Sequence, residues 1–232
     1  MLTRYGTLLF AAGFAFLLFV LFTSQPLGAP PMLAGQALLD EAATTVGAAN
    51  IVTAVVLAYR GIDTLGELSI LFAAATAVGL VLGSAHRTLG AGAPREPGGF
   101  ILRAGVDFLF PLLLLVGFYI IVHGHLTPGG GFQGGVVLAA AFVLPVLARP
   151  TETLSHKAMA RVEGLAGGVF ILTGLGALAF DRAFLAPLLG PGQLGALLSA
   201  GTLPVLYLAV GLKVGAELAS LLLRLSEDEA DA

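Results

Sequence analysis

Seven ionisable side chains sit where their chemistry would matter: Glu67, Lys213, Glu217, Asp107, Asp63, His123 and His125. Lys213 lies eleven residues into the apolar stretch Thr202–Leu223, and Glu217 follows four residues later on the same helix face. An ionisable group inside such a run costs at least about 2.5–3.5 kcal/mol on insertion scales, so it suggests function by default. Lys before Glu is the weaker helical order, so local stabilisation does not explain the pair. Either the pair glues helices together, or Lys213 is a proton relay point, since a buried Lys shifts its pKa readily. Glu67 lies in Arg60-Gly61-Ile62-Asp63-Thr64-Leu65-Gly66-Glu67. Thr64 reads as an N-cap with Glu67 at the capping-box position. Glu67 therefore either closes a helix start or also handles protons or ions, while Asp63 and Arg60 can pair locally. Asp107 is followed by Pro111, which removes the helix hydrogen bond to the Asp107 carbonyl. A free carbonyl beside a carboxylate could hold water or a cation, and the rival reading is an interfacial Asp. Glu163 reads as interfacial. His123 and His125 are two apart and fall on different faces of any helix, so they pair on a metal only in a loop. Otherwise they are solvated interfacial histidines.

Enzyme signatures are absent. Gly129–Gly135 reads GGGFQGG, but no strand precedes it and no acid follows at dinucleotide-binding spacing. There is no phosphate loop and no nucleophile elbow. With zero Cys among 232 residues, thiolate metal sites, iron–sulfur ligation and cysteine catalysis are excluded. No metal or cofactor is expected. A net charge of −3 gives no support for nucleic-acid binding.

The elements that position these groups must be membrane helices. The chain is 57% hydrophobic and 11% charged, against about 45–50% and about 25% in soluble domains. Its apolar runs are continuous rather than alternating, so they are helices, not barrel strands. Six stretches approach the ~20 residues needed to cross the hydrocarbon: Tyr5–Phe22, Thr64–Leu82, Leu102–Val122, Phe132–Leu147, Glu163–Phe180 and Thr202–Leu223. The expected fold is all-α and integral to the membrane. Val46–Tyr59 reads as one short, re-entrant or tilted helix. Tyr5–Phe22 is long for a signal-peptide core and reads as a span, despite Arg4 and the faintly signal-like Leu27-Gly28-Ala29. Pro145 is expected to break the fourth span. Arg87, Arg95 and Arg103, and then Arg149, Lys157 and Arg161, place two connectors on the cytoplasmic side. His123–Gln133 and Asp181–Gly201 then lie outside, and both termini inside. Glycine-rich segments predict close helix packing. The chain divides into a two-span unit with a short helix (1–90), a Gly/Pro linker (91–100), a four-span unit (101–225) and an acidic tail (226–232).

Two segments resemble known sequences. His123-Gly124-His125-Leu126-Thr127-Pro128-Gly129-Gly130-Gly131-Phe132-Gln133-Gly134-Gly135 is similar to the signature of the MnhB (MrpB) component of Mrp-type multisubunit sodium/proton antiporters, and the likeness extends over Arg103–Leu223. Gly47-Ala48-Ala49-Asn50-Ile51-Val52-Thr53 and Tyr59–Glu67 resemble the C-terminal end of the large antiporter component of Mrp systems. They equally resemble a small component of energy-converting membrane-bound hydrogenases, where the two pieces are separate neighbours. Joining them in one chain departs from the Mrp arrangement. The resemblance implies a non-catalytic component of the plasma (inner) membrane that assists sodium/proton translocation. Its partners would be other antiporter subunits, membrane lipid and, in the redox-driven type, peripheral hydrogenase-like subunits. It carries over Glu67 as a pathway acid. A purely structural packing role and an independent small transporter are the rival readings.

Overall fold

The computed structural model describes residues 2–24, 33–89, 97–149 and 154–229, with side chains described except at 2–5, 34, 83–89 and 226–229. The side chains of Arg4 and Arg87, Arg95, Leu27–Ala29, most of the linker and the acidic tail's side chains lie outside the described residues. The chain forms two compact units, Met1–Leu38 and Leu39–Ala232. In the first, α1 (Leu2–Ser24) is an apolar helix. Near its end the Thr23 and Ser24 hydroxyls donate back to the Phe19, Val20 and Leu21 carbonyls.

The remaining elements are α2 (Leu33–Glu41, widened into a π turn over Ala42–Val46), α3 (Ile51–Thr53, widened over Ala54–Tyr59), α4 (Gly61–Leu89), α5 (Phe100–Val122), α6 (Gly131–Ala148), α7 (His156–Ala179) and α8 (Leu203–Glu229). Among the described residues six helices are long and apolar enough to cross a membrane: Gly6–Ser24, Gly61–Leu82, Phe100–Val122, Gly131–Ala148, His156–Ala179 and Leu203–Leu225. These are the expected spans, with ends moved by a few residues. The short, re-entrant or tilted element expected over Val46–Tyr59 is there as the second arm of a bent helix pair. The helical runs Gly35–Val46 and Ile51–Tyr59 meet at 88°. Gly47, at φ +75°, ends the first run, and the Asn50 side chain caps the second by accepting from the Thr53 N–H. The helical run before Gly47 was not anticipated.

The second unit is built around α8, which packs on α6, α7 and α4, while α5 packs on α6. Ile121, Leu138, Phe170, Leu206, Val210 and Val214 form the shared core. Lipid supplies no hydrophobic drive between helices, so close approach must come from small residues. The glycines do this at α5–α6 and α6–α8. A Cβ on Gly134 would meet the Ile121 side chain and stand 2.7 Å from the Gly117 carbonyl oxygen, and one on Gly135 would stand 2.8 Å from the Gly211 carbonyl oxygen. Gly164 and Gly168 on α7, by contrast, have nothing within 4 Å. Pro145 does not break α6. The helix runs on to Ala148, and the Pro145 carbonyl still accepts from the Arg149 N–H at 2.9 Å.

Candidate functional site

Lys213 and Glu217 sit mid-bundle on α8, with 8% and 2% exposure. The α8 face that carries them turns toward α7 and α4, not toward lipid. Lys213 Nζ donates to Glu217 Oε2 at 2.7 Å, lies 3.8 Å from Glu163 Oε1 on α7, and stands 5.5 Å from the centroid of the Phe72 ring on α4. Glu217 Oε1 is buried and accepts no hydrogen bond. The sequence placed Glu163 at an interfacial helix start. The helix start is corrected: α7 begins at His156, so two turns of helix precede Glu163. Beside the cluster lies a cavity of about 240 Å³, lined by Phe72, Thr76, Glu163, Glu217, Ser220 and Arg224 among others. The arrangement is one ammonium shared by two carboxylates at the wall of a space large enough for water. It can hold a proton or a small cation among oxygen atoms.

A second polar assembly gathers at the other end of the bundle. Asn50 Nδ2 donates to the Gly124 and Thr127 carbonyls, each at 2.9 Å, and the Asn50 N–H donates to the His125 carbonyl at 3.0 Å. The buried Thr53 hydroxyl adds a bond to the Gly124 carbonyl at 2.8 Å. The two sequence signatures, some 75 residues apart, are thus bonded directly to each other. The glycines of the loop permit this. Gly129 and Gly130 have φ +146° and +138°, and a Cβ on Gly124 would stand 2.9 Å from the Gly130 Cα. Against this loop lies a cavity of about 250 Å³ that includes Thr53, Glu67, Gln133 and Tyr207 in its walls. The Tyr207 hydroxyl is buried without a hydrogen-bond partner.

Glu67 is exposed on α4, and the capping expectation for it is corrected. The helix begins at Gly61, and the Thr64 hydroxyl donates to the Val56 carbonyl at 2.6 Å instead of capping. Glu67 therefore lies nearly two turns into a span, where a helix-start role does not apply. Asp63 pairs with Arg60 at 2.5 Å on the surface. Asp107 accepts from Arg149 Nη2 through both oxygens at 2.6 Å, although the sequence places Arg149 in a connector. His123 stacks on Tyr119 with ring centroids 4.1 Å apart. His125 is not solvated as expected but fully buried, its Nε2 3.3 Å from the Ala196 carbonyl oxygen. Burial pushes its imidazole below the ordinary range, partly offset by that carbonyl. Among the described residues no group of three or more His, Cys, Asp or Glu is placed to hold a metal ion. The structure brings Lys213, Glu217 and Glu163 together. It leaves Asp107 in its own ion pair, and it leaves Glu67 without a side-chain partner among the described residues. Tyr207 is not singled out by the sequence, and Glu163 is read there only as interfacial. Tyr207 is six residues before Lys213 on the same helix, a spacing that puts the two on different faces, so no local pattern links them.

Known proteins share both halves of this architecture. Residues 101–220 match the family described as "Domain related to MnhB subunit of Na+/H+ antiporter". A protein of Methanocaldococcus jannaschii, MJ1307, is 33% identical over 205 residues, covering 74% of each chain. A Na(+)/H(+) antiporter subunit of Bacillus subtilis is 33% identical over 97 residues, 40% of this chain and 68% of that one. Among solved structures, a chain of the membrane-bound sulfane sulfur reductase, an archaeal respiratory membrane complex, superposes with TM-score 0.83 at 36% identity over 97% of this chain and 98% of that one. A chain of the Mrp complex from Dietzia sp. DQ12-45-1b superposes with TM-score 0.75 at 25% identity over 95% of this chain and 26% of that one. Both pieces therefore have counterparts within one chain of an Mrp complex, and their joining does not set this chain apart from that arrangement. With a family match over more than half its length and six membrane-length apolar helices, the chain is a multi-pass membrane protein that belongs to the MnhB-related family of antiporter subunits.

Proposed function

We propose that this chain is a non-catalytic membrane component of an Mrp-type cation/proton antiporter module, working beside the other antiporter subunits. The observation that carries the reading is the Lys213 ammonium held between Glu217 and Glu163 inside the bundle. Three ionisable groups at that depth are costly, and a packing role alone would be met by apolar side chains of similar volume. Glu67 and Tyr207 serve the same path from the end where the signature loop lies. The helical rise from Tyr207 to Lys213 is about 9 Å, past the buried apolar residue Val210. This chain therefore supplies two separated polar stations, and neighbouring subunits complete the route. The basic residues near Arg103, Arg149 and Arg161 support an orientation with both termini in the cytoplasm, in the inner membrane. The end-to-end likeness to a chain of an archaeal respiratory complex supports a redox-driven setting. With no Cys, the chain would offer that setting no thiolate ligand.

The second reading, a chain that only packs others, is favoured by the glycine contacts and by the ion pairs of Asp107 and Asp63. Glu67→Gln and Lys213→Ala in the whole complex separate the two. The relay reading expects assembly to persist while cation/proton exchange in vesicles falls at least about tenfold. Exchange that survives in assembled complexes sinks it, and loss of assembly without any exchange defect in the remaining complex favours packing.

A further inference from the structure

We propose that the groove walled by α4, by α8 and by Glu163 of α7 seats one transmembrane helix of a neighbouring subunit. That helix brings a neutral hydrogen-bond-donating side chain to Glu217. The inference rests on the reading of this chain as a component of a multisubunit module, and it adds the docking face and the kind of partner.

Helical spacing defines the groove. Phe72, Ala75, Thr76, Gly79 and Leu80 line it from α4, an i, i+3, i+4, i+7, i+8 series that forms one helix face. Glu217, Ser220 and Arg224 line it from α8 at i, i+3 and i+7. Two turns of each helix, about 10–12 Å, thus border a space of about 240 Å³. Thr76 and Arg224 are exposed and Leu80 is 72% exposed, so the groove is open rather than sealed. Its wall suits neither lipid nor water. Glu163 and Glu217 lie on it within membrane-spanning helices, and the Lys213 ammonium contacts both. Acyl chains cannot solvate such groups, which face protein or water instead. Phe72 and Leu80 on the same wall are apolar and largely exposed, which water leaves unsatisfied. A protein helix meets both demands. Ala75, Thr76 and Gly79 give it the small-residue surface on which helices approach closely in lipid.

Glu217 indicates what the partner brings. The residue is 2% exposed, and its Oε2 accepts from Lys213 Nζ at 2.7 Å, while Oε1 is buried with no hydrogen-bond partner. The Thr76 and Ser220 hydroxyls and the Arg224 guanidinium line the same space without donating to that oxygen. A buried acceptor left unpaired costs free energy, and a donor on the incoming helix removes that cost. Two acidic and two basic side chains gather here, Glu163, Glu217, Lys213 and Arg224, so the wall has no excess of one sign to be matched. A Ser, Thr, Asn or Gln side chain therefore suffices. A second copy of this chain does not fit, because two-fold pairing sets the same concave face against itself.

The test uses the purified whole complex, with a photoreactive benzoylphenylalanine in place of Leu80, which lies on the groove wall and takes no part in the ion pairs. After illumination, mass spectrometry of the digest is expected to find one adduct, with a membrane helix of another subunit. That helix carries Ser, Thr, Asn or Gln within about two turns of the cross-linked residue. A helix lacking such a residue, adducts only with lipid or detergent, adducts only with this chain itself, or no adduct overturns the inference. Should the substitution at Leu80 prevent assembly, Phe72 takes the photoreactive group, with the same expected and overturning results. Thr76→Trp fills the groove. It is expected to lower recovery of the cross-linked subunit, relative to this chain, at least about fivefold, and unchanged recovery overturns the inference. If other antiporter subunits copurify and the groove reaches none of them, the docking face falls and the component reading stands. If no other subunit copurifies, the component reading falls with it.

Discussion

Replacing Lys213 and Glu217 singly and together distinguishes an ion pair kept for transport from one kept for packing. At an effective dielectric constant of about 20, the 2.7 Å contact to Glu217 is worth about 6 kcal/mol and the 3.8 Å contact to Glu163 about 4 kcal/mol in gross Coulomb energy. Desolvating each of the three ions costs several kcal/mol, so the net stabilisation is near zero. Lys213→Met leaves two carboxylates at the cavity wall without their cation. Glu217→Leu leaves an ammonium with only the more distant Glu163. Each single change is therefore expected to destabilise by about 3–5 kcal/mol. The double change removes the short pair and puts apolar groups of similar volume in its place. It is expected to recover most of that loss, with a coupling of at least about 3 kcal/mol. Denaturant titration of the detergent-solubilised complex, followed by retention of this chain, measures all four corners of the cycle. Exchange in vesicles is measured in parallel, and it is expected to stay lost in the double variant although stability returns. Additive single effects would refute the energetic reasoning. Exchange restored together with stability would refute the transport role.

Two further predictions concern the helix contacts and the signature loop. Gly134→Ala forces a Cβ into the Ile121 side chain and to 2.7 Å from the Gly117 carbonyl oxygen. It should cost about 1–3 kcal/mol, whereas Gly164→Ala, with nothing within 4 Å, should be close to neutral. Equal recovery of the two variants in assembled complex contradicts this packing account. Burial lowers the His125 pKa from its ordinary 6.5, so the unfolded chain takes up the proton more readily. The stability of a neutral His125 is fully present above 6.5 and is lost as pH falls below it. The thermal midpoint of the complex should drop on acidification through that range, and His125→Asn should flatten the drop. An identical pH profile in the variant would rule this out.

Composition and run length determined the class and the spans of this protein, because lipid accepts only helices whose apolar stretch matches its thickness. The Lys213–Glu217 pair was legible for the same reason, since residues four apart share a helix face. What tertiary structure decided is where helices meet. Glu163 looked interfacial until α7 was seen to start at His156 and to pack against α8, which sets its carboxylate 3.8 Å from Lys213. Arg149 looked like a loop charge until the end of α6 brought it to Asp107. Thr64 looked like a cap because a local pattern cannot show that the helix begins one turn earlier. The bond between Asn50 and the Gly124 carbonyl joins segments some 75 residues apart. No local periodicity encodes that, because it depends on glycines that let the loop come close enough to accept it.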